Sequence, residues 1–175
     1  MRADTAFPCS ADAQARVLIL GSMPSQTSLR AREYYAHPAN AFWPIMQSLF
    51  GIPRSLPHQQ RLARLRAQRI ALWDVVHQCI RPGSMDHDIQ SDSVVTNDFA
   101  ALYARLPCLT AICFNGRKAE QLYRRLVLPN LPAAWQRLPR HVLPSTSPAN
   151  ARMRFADKLQ AWRLLCQLLS RTDSP

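Results

Sequence analysis

The sequence predicts an α/β fold, a parallel sheet covered by helices on both faces. Short strand-like runs alternate with segments whose apolar residues recur at threes and fours, the pattern of strands joined by crossover helices. The polar, chemistry-bearing residues fall just after the strand-like runs, where such a sheet binds its ligands. A chain of 175 residues with 47% apolar and 19% charged residues is one domain's worth and too apolar to be disordered.

The elements follow in order. Ala15 to Leu20 reads as the first strand, ending at Gly21. Ala41 to Phe50 reads as a helix with Phe42, Ile45, Met46, Leu49 and Phe50 at the spacing of one face and Asn40 as its N-cap. Gln59 to Gln68 is a basic helix with Leu62 and Leu65 on one side, and Ile70 to Val76 is the second strand. Asn97 is placed to cap a helix carrying Phe99, Leu102 and Leu106. Leu109 to Phe114 is the third strand, and Gly116 to Val127 a helix facing inward through Ala119, Leu122 and Leu126. His141 to Leu143 is the fourth strand. Met153 to Leu169 is the longest helix, with Phe155, Leu159, Trp162, Leu165, Cys166 and Leu169 on its apolar stripe.

Charge is the strongest compositional signal. Twenty-two basic residues, all Arg except Lys118 and Lys158, stand against 11 acidic ones, a formal net charge of +11. Such an excess points to a polyanion, most often nucleic acid, and Arg suits phosphate through its bidentate fork. A GC-rich coding bias accounts equally for the choice of Arg over Lys, but not for the excess of positive charge. No apolar run reaches the ~18 residues of a membrane span. The acidic residues Asp4 and Asp12 and the short apolar run at Val17 to Leu20 exclude a signal peptide. A cytoplasmic, nucleoid-associated location is therefore expected, with no membrane partner. Cys9, Cys79, Cys108, Cys113 and Cys166 lack metal-site spacing and are read as free thiols, Cys108 and Cys113 as small hydrophobes in an apolar run.

Several activities are excluded. With Gly21, Gly51, Gly83 and Gly116 as its only glycines, the chain has neither G-x-G-x-x-G nor a G-K-[ST] P-loop. Gly21 to Ser25 lacks the second Gly of a nucleophile elbow. Asp86-His87-Asp88 is read as a solvated turn rather than a metal site.

Gly21-Ser22-Met23-Pro24-Ser25, followed by Tyr34-Tyr35-Ala36-His37-Pro38-Ala39-Asn40-Ala41-Phe42-Trp43, resembles the first motif region of the uracil-DNA glycosylase superfamily. The A-H-P-x-N-x-F-W string is also similar to that of the mismatch-specific uracil glycosylases. Leu143-Pro144-Ser145-Thr146-Ser147-Pro148-Ala149-Asn150 resembles the second motif, a loop that enters DNA. With Leu72-Trp73-Asp74-Val75-Val76 and Phe114-Asn115-Gly116, the set is most similar to the hypoxanthine-DNA glycosylase branch, over roughly residues 17–151.

The resemblance implies a three-layer α/β/α sandwich around a four-stranded parallel sheet, a single domain over 1–175 with its core at about 15–170. It implies hydrolysis of the N-glycosidic bond of a deaminated base in double-stranded DNA, without metal or cofactor. Nothing in the sequence demands a protein partner, and a monomer is expected. One departure stands out. Most of the superfamily has Asp or Asn where this chain has Met23, and a thioether cannot orient water strongly. The branch it resembles implies Asn40 as the group that holds water at C1′, with Asn115 as second choice for catalysis or base recognition; an N-cap role for Asn40 is the alternative.

Tyr35 sits where related enzymes resemble one another in stacking an aromatic on the flipped base; packing with Tyr34, Phe42 and Trp43 is the alternative. Asp74 aligns with a base-reading Asn, against the reading of a buried carboxylate capping nearby backbone or paired with an Arg. Ser22 and Met23 are expected at the base. Ser25, Ser145, Thr146, Ser147 and Arg152 are expected at the DNA backbone, although Arg152 and Arg154 also suit a solvated helix start. Ser145 replaces a usual His or Asn, which argues against strong uracil excision. A uracil or mismatch-specific glycosylase, an inactive DNA-binding member of the fold and a small-molecule hydrolase remain as alternatives.

Overall fold

The computed structural model describes residues 3–83 and 85–171. Strands β1 (Asp4–Thr5), β4 (Val76–Cys79) and β5 (Val95–Thr96) form a small antiparallel sheet. Strands β2 (Val17–Gly21), β3 (Ile70–Asp74), β6 (Ala111–Asn115) and β7 (Arg140–Leu143) form the main sheet, all parallel, in the order β3–β2–β6–β7. The helices are α1 (Gln26–Ala31), α2 (Phe42–Phe50), α3 (His58–Ala67), α4 (Phe99–Ala104), α5 (Arg117–Leu122), α6 (Ala133–Gln136), α7 (Phe155–Trp162) and α8 (Leu164–Ser170).

The main sheet is buried on both faces because its strands are apolar at successive positions. Leu18, Leu20, Ala71, Ile112 and Phe114 pack on one face against α4, α5 and the turn after α5. Val17, Ile19, Ile70, Leu72 and Cys113 pack on the other against α2, α3, α7 and α8. This is the three-layer α/β/α sandwich that the resemblance implies. Each Leu or Ile so covered stabilises the fold by about 1.5–3 kcal/mol.

Register decides what the sheet presents. Gly21 lies opposite Asp74, and Asn115 opposite Leu143, so the four carboxyl ends finish level. From β2 the chain crosses to β3 on one side, and from β3 it crosses to β6 on the other, so the switch point of the sheet lies at the ends of β2 and β6.

Several expectations are corrected. The second strand does not run to Val76: it leaves the main sheet at Val75, and Val76 begins β4 of the small sheet. Asn97 does not cap α4. Asp98 does, accepting from the Ala101 N–H at 3.0 Å, while the buried Asn97 amide donates to the Asp74 carbonyl at 2.8 Å. Leu106 lies beyond α4 yet is buried. The helix after Gly116 gives way at Tyr123–Val127 to a wider turn, which brings Tyr123 and Val127 inward beside Ala119 and Leu122. The long C-terminal helix is interrupted at Arg163, and Phe155, at its first turn, is 44% exposed. Cys113 is buried in β6, but Cys108 precedes the strand and is exposed.

Candidate active site

At the carboxyl edge of the main sheet, the segments after the four strands enclose a hollow of about 390 Å³. That is within the ~300–1,000 Å³ of small-molecule sites. Tyr35, Asn40 and Asn115, 80 residues apart at their extremes, share it. Ser22, Met23, Ser25, Asp74, Ser145, Thr146 and Ser147 also line it. Arg152 alone of the expected site residues does not; it is exposed on the segment leading to α7.

Asp74 and Tyr35 supply polar atoms that the protein leaves unused. Asp74 ends β3 and is only 3% exposed, and among the described residues its Oδ2 has no hydrogen-bond partner. Through that oxygen it hydrogen-bonds neither backbone nor an Arg among the described residues. Burial first, and the neighbouring Asp86 second, push its pKa up to about 7; Arg81 opposes them. Among the described residues the buried Tyr35 hydroxyl has no well-formed hydrogen bond, although the Asn115 side chain lies near it and favours its charged form. Burial and then the Asp74 carboxyl raise it well above the ordinary phenol range, so it stays a neutral donor. Gly21 makes room for both groups: a Cβ there would stand 2.5 Å from Asp74 Oδ1 and 3.1 Å from the Tyr35 oxygen.

Tyr35 takes a left-handed backbone conformation, φ 54°, rare for an aromatic residue. Its ring stacks on Phe42, the first residue of α2, with centroids 4.2 Å apart. The aromatic packing and the place in the hollow therefore coexist. Asn40 stands one residue before the cap position of α2, which is Ala41. Its Oδ1 accepts from the Phe42 N–H at 2.9 Å, so the side chain still satisfies the helix start. This bond fixes the amide orientation and leaves Nδ2 and the second lone pair of Oδ1 for a ligand or water.

The second-motif loop is tied down by one residue. Asn115 Nδ2 donates to Thr146 Oγ1, and the Thr146 N–H donates to Asn115 Oδ1, both at 2.9 Å. The Ala41 N–H donates to the Thr146 carbonyl at 2.9 Å. Thr146 is 1% exposed, and both of its backbone polar groups and its hydroxyl are engaged. It therefore joins β6, the loop and α2 instead of meeting the DNA backbone, a correction to the sequence expectation. Asn115 spends one donor and one acceptor on this joint. Ser145 Oγ accepts from the Ser147 N–H, and Asn150 Nδ2 donates to the Ser145 carbonyl. Ser25 caps α1, accepting from the Ser28 N–H at 3.2 Å.

Asp86 is a site residue missed in the sequence, where its turn reads as solvated. The chain folds back after β4, and Asp86–Asp88, a single tight turn, returns to the hollow rather than standing free in solvent. Asp86 accepts a hydrogen bond from Ser22 Oγ. The turn's acidic character was visible in the sequence, but its return depends on contacts between distant segments. Buried Arg81 donates to the Pro24 carbonyl at 2.6 Å and pairs with Asp4 at 3.2 Å. The small sheet thus braces the first-motif loop from behind. Among the described residues lining the hollow there is no Arg or Lys, although the chain as a whole carries +11.

A hollow with a buried carboxyl, a buried phenol, an amide and an aromatic wall suits a flat, neutral heterocycle bearing hydrogen-bond donors and acceptors. Comparisons with known proteins agree. A family model described as the Uracil DNA glycosylase superfamily matches residues 8–166. A protein of Methanosarcina acetivorans named hypoxanthine DNA glycosylase is 38% identical over 150 residues, covering 83% of this chain and 87% of that protein. One of the same name from Methanosarcina barkeri is 38% identical over 66% of this chain and 72% of its own length. A solution NMR structure from Methanosarcina acetivorans, described as a candidate uracil DNA glycosylase, superposes with a TM-score of 0.74 at 35% identity, over 94% of this chain and 99% of that one.

Proposed function

Because the chain belongs to the uracil DNA glycosylase superfamily, we propose that it excises hypoxanthine from deoxyinosine in DNA by hydrolysing the N-glycosidic bond. The observation that carries this reading is the single hollow shared by the four strand ends, walled by Tyr35 and floored by Asp74. The curated relatives bearing that activity in their names support it.

The duplex must first release the nucleotide, at a cost of a few kcal/mol that falls at a mispaired base. Exposed Arg152 and the rim residues Ser25 and Ser147 bind the flanking backbone. The base enters against Tyr35, and stacking returns ~1–3 kcal/mol. Asp74 hydrogen-bonds its polar edge. As C1′–N9 lengthens, positive charge grows on the sugar, and the Asn40 amide holds water against it. An amide is a weak base, but water attacking an oxocarbenium ion needs little assistance. The protein acts as a monomer on nucleoid DNA in the cytoplasm.

Met23 favours a second reading, a member of the fold that binds damaged DNA without cutting it. The test is incubation with duplexes containing one deoxyinosine, deoxyuridine or deoxyxanthosine, followed by alkaline cleavage at abasic sites. Strand breaks at deoxyinosine are expected. Breaks only at deoxyuridine would move the activity to uracil, and binding without breaks would support the second reading. Asn40→Ala should slow deoxyinosine excision 10²-fold or more with DNA affinity nearly unchanged. Full activity in that variant would remove Asn40 from the mechanism.

A further inference from the structure

Asp86 is a second carboxylate brought to the hollow by a segment outside the four strand ends, and the excision reading leaves it without a task. We propose that Asp74 donates a proton to N7 of the extruded purine as its glycosidic bond breaks, and that Asp86 is a positioning residue whose negative charge keeps that proton on Asp74 until then. This rests on the reading of the site as a deoxyinosine glycosylase.

The geometry supplies the parts. Asp74 Oδ2 is buried, unpartnered among the described residues, and at the hollow. A buried oxygen left without a partner is costly unless a ligand uses it. Gly21 keeps the space beside the carboxyl open. Asp86 is held at the hollow by Ser22 Oγ. The charged and titratable neighbours of Asp74 come from every side. Arg81 follows β4, but it is committed to Asp4 and the Pro24 carbonyl. Cys9, Tyr34 and Tyr35 are all pushed up by burial and remain neutral. His87 lines the hollow with Asp88 at 3.4 Å from its ring. Burial is the larger cause that favours a protonated Asp74; Asp86 adds to it, and Arg81 opposes both.

Purine chemistry calls for such a donor. As the bond breaks, the electron pair of C1′–N9 passes into the imidazole ring. A proton arriving at N7 of that ring neutralises it, and hypoxanthine leaves as its neutral N7–H tautomer. The Oδ2–H bond breaks as N7–H forms. Water adds its oxygen to C1′ and releases a proton, which restores Asp74 through solvent. Atoms and charges balance with no further reagent.

The test is the single-turnover excision rate of the full chain between pH 5 and 9, on duplexes carrying deoxyinosine or its 7-deaza analogue, which has no N7 to protonate. The wild-type rate on deoxyinosine should fall as the pH passes about 7. Asp86→Asn should move that fall to lower pH by half a unit or more. Asp74→Asn should lose 10²-fold or more and show no alkaline fall. The 7-deaza duplex should bind wild type normally and be cut at least 10²-fold more slowly. Equal cutting of both substrates by wild type, an experiment independent of any variant's folding, would overturn the proton donor and leave the excision reading intact. An alkaline fall unmoved by Asp86→Asn would overturn the role of Asp86. Failure of wild type to cut deoxyinosine at any pH would overturn the excision reading itself, and the donor with it.

Discussion

A hydrogen is the only side chain that position 21 accommodates without disturbing the site. Its φ is ordinary, so the constraint is space rather than backbone conformation: a Cβ would stand 2.5 Å from Asp74 Oδ1. Gly21→Ala should therefore fold, lose about 1–3 kcal/mol through overpacking, and excise far more slowly because Asp74 and Tyr35 must shift. Thermal unfolding and single-turnover rates on one preparation would check both parts. Asp74 itself is held at a cost to stability. Its folded pKa lies above the ordinary carboxylate value. Its favourable contribution is therefore fully present below about pH 4 and is lost progressively as the pH rises through about 7. Asp74→Asn removes that dependence. Between pH 5 and 8 the variant should gain on the wild type by on the order of 2 kcal/mol, measured by urea denaturation, while losing activity. An unchanged difference across that range would mean that Asp74 is not the titrating group.

The second-motif loop, Pro144 to Asn150, is positioned by its joint with β6 and α2. Thr146→Val keeps the shape and the backbone bonds but removes the acceptor for Asn115 Nδ2. A loss of about 1–2 kcal/mol is expected, together with weaker DNA affinity as the loop loosens, both readable from denaturation and fluorescence-anisotropy titrations. The loop was legible in the sequence, and so were the four main strands and the longer helices, whereas the short α1 and α6 were not. Continuous apolar runs and threes-and-fours spacing are local signals that burial on both faces imposes. The small sheet was not legible: Asp4–Thr5 and Val95–Thr96 are two residues each and carry no period. Nor could adjacent Asn97 and Asp98 be told apart as caps, since either side chain satisfies a helix start. What separated them was the demand of the Asp74 carbonyl for a donor, a contact made 23 residues away. Asp86 escaped for the same reason. A turn reads as solvated until the strand before it is seen to lead back to Ser22.

Across the whole molecule, charge is distributed unevenly. The net +11 is carried by arginines outside the hollow, while the hollow contributes Asp74 and Asp86. Attraction to DNA arises at the exterior through displaced counterions. Affinity for any duplex should thus weaken by about 10²-fold or more between 50 and 200 mM salt if several phosphates are engaged, as measured by filter binding or anisotropy. Once a flipped nucleotide is seated, its cleavage rate should respond far less, because buried groups are poorly screened. The acidic chamber inside a cationic shell acts as a filter for polarity. The Asp86 carboxylate is expected to repel a phosphodiester while a neutral ring passes, so the backbone stays at the rim as base and C1′ reach Asp74 and Asn40. Free inosine 5′-monophosphate, whose anionic tail would follow the ring inward, should for that reason compete poorly, whereas hypoxanthine alone should compete as a released product does.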